Sequence, residues 1–170
     1  MAKRRKRKLI GMLLAILALS IILTYNPVSV RVMTVAVAVW HKIDPAIFYR
    51  LIRTESSFRS FAISPKSAIG LGQMRERTAE YINSEHKRGM LFVPVYNLNL
   101  SARYLSYLYQ KFNGNWSLVL AAYNWGESNV LRRMKGIQID PDEDYRDKFR
   151  DIPETWNYIA KILPPRKAYL

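Results

Sequence analysis

Asp44-Pro45-Ala46-Ile47-Phe48-Tyr49-Arg50-Leu51-Ile52-Arg53-Thr54-Glu55-Ser56-Ser57 carries the marks of a helix at both ends. Asp44 suits the N-cap, and Pro45 the first helical position, where a backbone N–H would go unused. Ile47, Phe48, Leu51 and Ile52 recur at the spacing that lines one helix face. The spacing predicts a helix ending near Glu55 or Ser56, with a carboxyl group at the end of an apolar face.

Outward from this segment the helical pattern continues. Upstream, a short tether around Asn26-Pro27 leads into an apolar run, Val28 to Trp40, read as a helix. Downstream, a polar loop with Ser64-Pro65 precedes a helix expected from roughly Leu71 to Asn83. Asn97 reads as the cap of a further helix, with Leu100, Tyr104, Leu105 and Leu108 inward and Gly114 past its end. Ser117 to Tyr123 forms another, and after Gly126 a short helix carries Val130, Leu131 and Met134. Asp140 to Asp151 reads as a loop, and Pro153 opens a last helix bearing Trp156, Ile159 and Leu163. No alternating strand pattern and no repeat interrupts this, so the expected fold class is all-α.

A chain of 170 residues fits one domain with a core large enough to fold without disulfides or metal. It has no Cys, which excludes a thiol nucleophile and Cys-ligated metal. His41 and His86 lie far apart in sequence and lack metal-ligand spacing, so neither metal nor cofactor is expected. Of the formal net charge of +14, six charges sit in Lys3-Arg4-Arg5-Lys6-Arg7-Lys8, leaving +8 for the rest. Such a balance suits an acidic partner: nucleic acid, lipid headgroups or an anionic wall polymer. No nucleic-acid motif accompanies the charge, and the segment that follows the basic head argues against that partner.

Leu9 to Leu23 contains no charge. As a helix it is about 22 Å long, short of the roughly 30 Å hydrocarbon core, and Thr24 and Tyr25 extend it. Residues 1–8 then form a cytoplasmic basic head and residues 9–25 a transmembrane anchor in the inner membrane. The head's charge places everything beyond Tyr25 on the far side, facing the periplasm or the outside. The competing reading is a cleaved signal peptide. Its small-x-small cleavage pattern is missing where it should be: Ala18-Leu19-Ser20 lies inside the apolar run, and Ala36-Val37-Ala38 too far downstream. Residues 26–38 are the tether and first helix start, and residues 39–170 the folded domain.

Glu55 stands out chemically. Glycoside cleavage needs a carboxylic acid whose pKa is raised by partial burial, so that it still holds its proton near neutral pH. A helix C-terminus, with its partial negative charge, also favours the neutral form. Alone this is a weak signal, because most helix-terminal glutamates are solvated.

Glu55 has company, however. Glu55-Ser56-Ser57-Phe58 is followed by Ser64, then Ala68-Ile69-Gly70-Leu71-Gly72-Gln73, then Thr78-Ala79. Ala121-Ala122-Tyr123-Asn124-Trp125-Gly126 and Ile152-Pro153-Glu154-Thr155-Trp156-Asn157-Tyr158 come later. In this order the chain resembles the soluble-lytic-transglycosylase-type (SLT) domain of the family 1 lytic transglycosylases, from about Val39 to Leu163. The resemblance implies a lysozyme-like α-helical fold that binds peptidoglycan glycan strands. It implies Glu55 as catalytic acid and base, and Tyr123 as the tyrosine that hydrogen-bonds its carboxyl. By the same resemblance Ser64, Gln73, Asn124, Glu154 and Tyr158 line the substrate cleft. The sequence singles out no protein partner.

The chain departs from that pattern at four places. The first Gly of the Gly-rich motif is Ser67, its Met is Gly72, and the Pro before Thr-Ala is Glu76. The Gly of the Asn-x-x-x-Gly helix start is Ser101. A positive φ at residue 67 would strain a serine there.

The resemblance further implies a one-carboxylate reaction that cuts between N-acetylmuramic acid and N-acetylglucosamine and leaves a 1,6-anhydro end. This agrees with the scarcity of partners for Glu55: between it and Tyr123 the only carboxylates are Glu76, Glu80 and Glu85. The alternatives are hydrolysis, as in goose-type lysozymes, and a non-catalytic wall-binding or assembly module.

Overall fold

The computed structural model describes residues 2–164; Met1 and residues 165–170, the outer ends of the expected head and domain, lie outside the described residues. Among the described residues there are eight α-helices and no strand. The helices are α1 (Ala2–Tyr25), α2 (Pro27–Trp40), α3 (Pro45–Ser56), α4 (Glu76–Ile82), α5 (Pro94–Lys111), α6 (Trp116–Trp125), α7 (Glu127–Arg133) and α8 (Pro153–Ile162). The all-α expectation holds.

Helix α1 carries no buried residue within its apolar span and is long and apolar enough to cross a membrane. Helix α3 begins as its sequence predicts: the Asp44 carboxylate accepts from Ala46 N at 2.7 Å and Ile47 N at 3.2 Å. Its Ile47, Phe48, Leu51 and Ile52 are buried, against α2 on one side and α8 on the other. Helix α6 is the most enclosed, with every residue from Ser117 to Ala122 buried. An apolar helix without a polar face belongs in the middle of a helical domain, and α6 is packed against α5, α7 and α8.

Three elements differ from expectation. The helix expected from Leu71 begins only at Glu76. Residues 62–74 instead fold back on themselves through isolated bridges, Ile63 with Ile69 and Ile69 with Met74. Positive φ values at Ser67 (59°), Gly70 (77°) and Gln73 (48°) break any helical run there. Asn97 is not a cap: α5 starts at Pro94, and Asn97 is fully buried in its first turn. Within Asp140–Asp151, read as a loop, residues Tyr145–Phe149 wind into a 3-10 turn that buries Tyr145 and Phe149. Leu131 on α7 is exposed.

Asn97 explains the first two differences together. Its side-chain amide donates to Ile69 O (3.0 Å) and Leu91 O (2.9 Å), while its oxygen accepts from Gly72 N (2.8 Å). One buried side chain thereby ties the glycine loop and the approach to α5 together, satisfying backbone groups that no helix could satisfy. Close approach is the condition for this. A Cβ at Gly70 would lie 2.3 Å from Asn97 Nδ2, and one at Gly72 would lie 2.0 Å from Ser101 Oγ. The departures at residues 72 and 101 are therefore coupled: with Ser101 on α5, only glycine fits opposite it. Gly72→Ala should destabilise the domain by ~1–3 kcal/mol, the usual range for overpacking. Ser101→Gly in the same chain should recover most of that loss. Melting of both single variants and the double variant measures it, and additive losses would show that the two positions are uncoupled.

Candidate active site

Glu55 lies in the last turn of α3, and the chain turns sharply after it. Ser57 (φ 53°) and Phe58 (φ 63°) both adopt the left-handed conformation, which costs roughly 1–2 kcal/mol for each non-glycine residue. Phe58 repays this by burial: its ring is 8% exposed and packs on Tyr49, centroids 4.8 Å apart. Burying a Phe contributes roughly 1.5–3 kcal/mol, comparable to the strain. The turn keeps the chain from continuing past Glu55 and covering it.

The Glu55 carboxyl is half-buried, and its Oε1 accepts a 2.5 Å hydrogen bond from the Tyr158 hydroxyl on α8. Burial pushes its pKa from 4.5 up to about 7; the Tyr158 hydrogen bond pulls the other way, and nearby Glu154 adds to the rise. Desolvation dominates, so the acid holds its proton to near neutrality. Because the folded chain binds this proton more tightly than the unfolded one, Glu55 favours folding most below pH about 4.5. That contribution is lost as pH rises through about 7.

The structure corrects the expected hydrogen bond of Tyr123. Its hydroxyl donates to Gly72 O at 2.8 Å, and the hydrogen bond to Glu55 comes from Tyr158. Tyr123 is still near enough to Glu55 for burial and that carboxylate together to hold its phenol well above the ordinary range. It supports the glycine loop from beside the carboxyl. Both tyrosines reach the same small volume, and which hydroxyl meets the acid depends on how α8 packs on α3.

Four of the other sequence-selected residues make contacts of their own. Glu154 is exposed and pairs with Lys66 at 3.7 Å. Ser64 accepts from Ala68 N at 3.0 Å within its own loop. Gln73 donates to Gly70 O (2.9 Å) and Ala62 O (3.3 Å). Asn124 accepts from the Thr155 hydroxyl at 2.9 Å, joining α6 to α8. Glu76, one of the carboxylates between the motifs, is held by His86 at 2.9 Å and Arg88 at 3.6 Å.

Sequence reasoning missed an open groove about 820 Å³ in volume. Glu55 is not in its lining, but Lys66, Ser67 and Tyr104 are. Lys66 reaches Glu154, and the Tyr104 ring packs on Tyr123 at 5.4 Å. Further along, Tyr107 donates to Glu127 (3.1 Å), which also pairs with Lys111 at 2.6 Å. The tyrosine spacing on α5 was visible, but Tyr104 reads as core by period alone.

The transglycosylase SLT domain profile matches residues 36–145 of this chain. The chain belongs to that family. Among solved structures, this SLT domain is similar to lytic transglycosylase Slt from Pseudomonas aeruginosa, determined as an inactive mutant. The TM-score is 0.70 at 29% identity, over 80% of this chain and 23% of that one. It is also similar to the 70-kDa soluble lytic transglycosylase from Escherichia coli (TM-score 0.67, 25% identity, 76% of this chain, 22% of that one). It shares its fold with the 70-kDa soluble lytic transglycosylase in complex with bulgecin A (TM-score 0.67, 24% identity, 80% and 23%). The SLT chain thus spans less than a quarter of the length of these structures. The lysozyme-like helical fold expected from the motifs is the fold observed.

Removing the Tyr158 hydroxyl removes a hydrogen bond that favours ionised Glu55. In the SLT domain's pH profile, kcat/KM should fall as pH rises through about 7. Tyr158→Phe should move that falling limb to higher pH. A limb that stays in place would exclude Glu55 as the titrating group or Tyr158 as its partner.

Proposed function

We propose that this SLT domain cleaves peptidoglycan glycan strands without water, between N-acetylmuramic acid and N-acetylglucosamine. The observation that carries the reading is a single half-buried carboxyl, proton-bearing near neutral pH, beside an open groove in a chain of this family. Protonated Glu55 donates to the glycosidic oxygen as the bond from that oxygen to C1 breaks. The substrate's own 2-acetamido oxygen bonds to C1 from the opposite side, giving an oxazolinium ion. Glu55, now a carboxylate, takes the proton of the C6 hydroxyl. O6 then attacks C1 and displaces the acetamido oxygen, which closes the 1,6-anhydro ring. Acid and base are the same group, so the proton count on Glu55 is restored each cycle.

Tyr158 has a defined part in this scheme. A hydrogen bond that strengthens as Glu55 ionises stabilises the carboxylate between the two proton transfers. Tyr123 and Asn124 hold walls of the site in place, through Gly72 and Thr155 respectively. Ser64 and Gln73 shape the loop facing the sugar, and Glu154 stands at the mouth.

Glu55→Gln should leave the melting curve almost unchanged and slow the release of glycan fragments from sacculi by ~10²–10⁴-fold. A folded variant working at the parent's rate would remove Glu55 from the mechanism. Mass spectrometry of the parent's products tests the reaction itself. Anhydro ends are lighter by one water than the reducing ends that hydrolysis leaves.

We further propose that α1 anchors the domain in the cytoplasmic membrane with the body outside the cytoplasm. Its exposed apolar surface and the six basic residues of the head support this. The full chain should stay in the membrane fraction through an alkaline wash, with an uncut amino terminus. A processed terminus would favour a signal peptide.

A further inference from the structure

Helix α2 is apolar on two opposite faces. Val30, Thr34, Val37 and Ala38 face the core and are buried. Val28, Val32, Val35 and Val39 follow the i, i+4, i+7, i+11 spacing that makes one stripe on the other side. They are 67%, 63%, 41% and 62% exposed, and Trp40 at the helix end is 81% exposed. No charged side chain falls within that stripe; Arg31 is at its edge. The other long amphipathic helices end in polar outer faces, as with Glu154, Asn157 and Lys161 on α8. Contiguous exposed apolar surface of this kind marks a contact site.

The joint between α1 and α2 is short and closely bonded. A single residue, Asn26, separates the helices, and it is locked from both sides. Its Oδ1 accepts from Val28 N and Ser29 N at 3.0 Å each, while its Nδ2 donates to Leu23 O at 3.0 Å and Ser29 Oγ at 2.7 Å. Next to the joint, the Phe61 ring stacks on Tyr25, the last residue of α1, with centroids 5.1 Å apart. Phe61 and Ile63 are each 65% exposed. Neither residues 26–43 nor residues 56–75 contain an Asp or Glu, whereas Arg31, Lys42, Arg59 and Lys66 are all exposed.

From this geometry we propose that the domain lies on the membrane through a second contact. The outward face of α2, with Phe61 and Ile63, sits in the headgroup–acyl boundary of the bilayer, and the nearby basic residues meet anionic phospholipid headgroups. The proposal rests on the reading of α1 as a membrane anchor. The rigid one-residue joint holds the start of α2 level with the end of the anchor, so the valine stripe has the lipid surface within reach and no long tether to carry it away. Interfacial helices combine such an apolar face with flanking cations. The loop that follows Glu55 then rests at the membrane, and the groove opens onto glycan close to the membrane surface.

The absence of cysteine makes the test direct. The full chain, reconstituted in vesicles of phosphatidylethanolamine and phosphatidylglycerol, is spin-labelled at one introduced cysteine at a time: Ile16→Cys, Val32→Cys, Val39→Cys or Gln138→Cys. Relaxation by oxygen, which concentrates in lipid, is compared with relaxation by a water-soluble nickel chelate. The expected result is oxygen-dominated relaxation at 16, 32 and 39, and chelate-dominated relaxation at 138. Chelate dominance at 32 and 39 with oxygen dominance at 16 would overturn the second contact and leave the anchor standing. Chelate dominance at 16 would show that the anchor reading has failed, and the proposal falls with it. Spin–spin broadening at 32 and 39 would overturn the proposal by showing a second copy of the chain on the stripe. An Arg31→Gln, Arg59→Gln double change should lower the oxygen-to-chelate ratio at 39 in vesicles with phosphatidylglycerol and have little effect in vesicles without it.

Discussion

A carboxyl group held out of water at the C-terminal end of an apolar helix is the constraint around which this domain is arranged. Ionising Glu55 there is opposed by desolvation and by the negative end of the helix. Full burial would silence the group, and full exposure would return it to an ordinary carboxylate. The fold holds it between these limits. Helix α3 fixes the backbone, α8 brings the Tyr158 hydroxyl, and the left-handed pair Ser57-Phe58 turns the chain sharply just after the carboxyl. A proton held near neutral pH follows from that placement.

A second polar arrangement keeps the wall opposite in shape. Asn97 donates two hydrogen bonds to backbone carbonyls of the glycine loop and its neighbour and accepts a third from Gly72 N, and Tyr123 donates one to Gly72 O. A fully satisfied buried network of this kind specifies one conformation, and each unmet member would cost more than it contributes when paired. The chain's unusual residues are intelligible here. Gly72 and Ser101 occupy one space between them. Ser67 sits at φ 59° in an exposed turn, where the residue before the Ser64–Ala68 closure has to turn left-handed.

The outward face of α2 obeys a different rule. A helix in a water-soluble domain has one apolar face; α2 has two, and its core face alone accounts for its packing against α3 and α5. The second face is intelligible if the solvent there is lipid. The domain would then have a tethered chain terminus and a tethered surface, which fixes its orientation as well as its location.

Much of this was legible in the sequence, for local reasons. Capping at Asp44-Pro45, the periodic apolar faces of α3 and α8, and the uncharged run of α1 depend on neighbours a few residues away, and so did the position of Glu55 at a helix end. Asn97 and the Ile69–Gly72 loop were misread for the opposite reason: their hydrogen bonds join residues up to 28 apart, which no local period encodes. The choice of tyrosine on the acid was of the same kind, because the Tyr158–Glu55 bond spans 103 residues. The sequence by itself determined the all-α class, the order of the motifs and the carboxyl at the end of α3. Only the tertiary structure decided which hydroxyl meets that carboxyl and how deeply it is buried, because desolvation depends on what packs around a group in space.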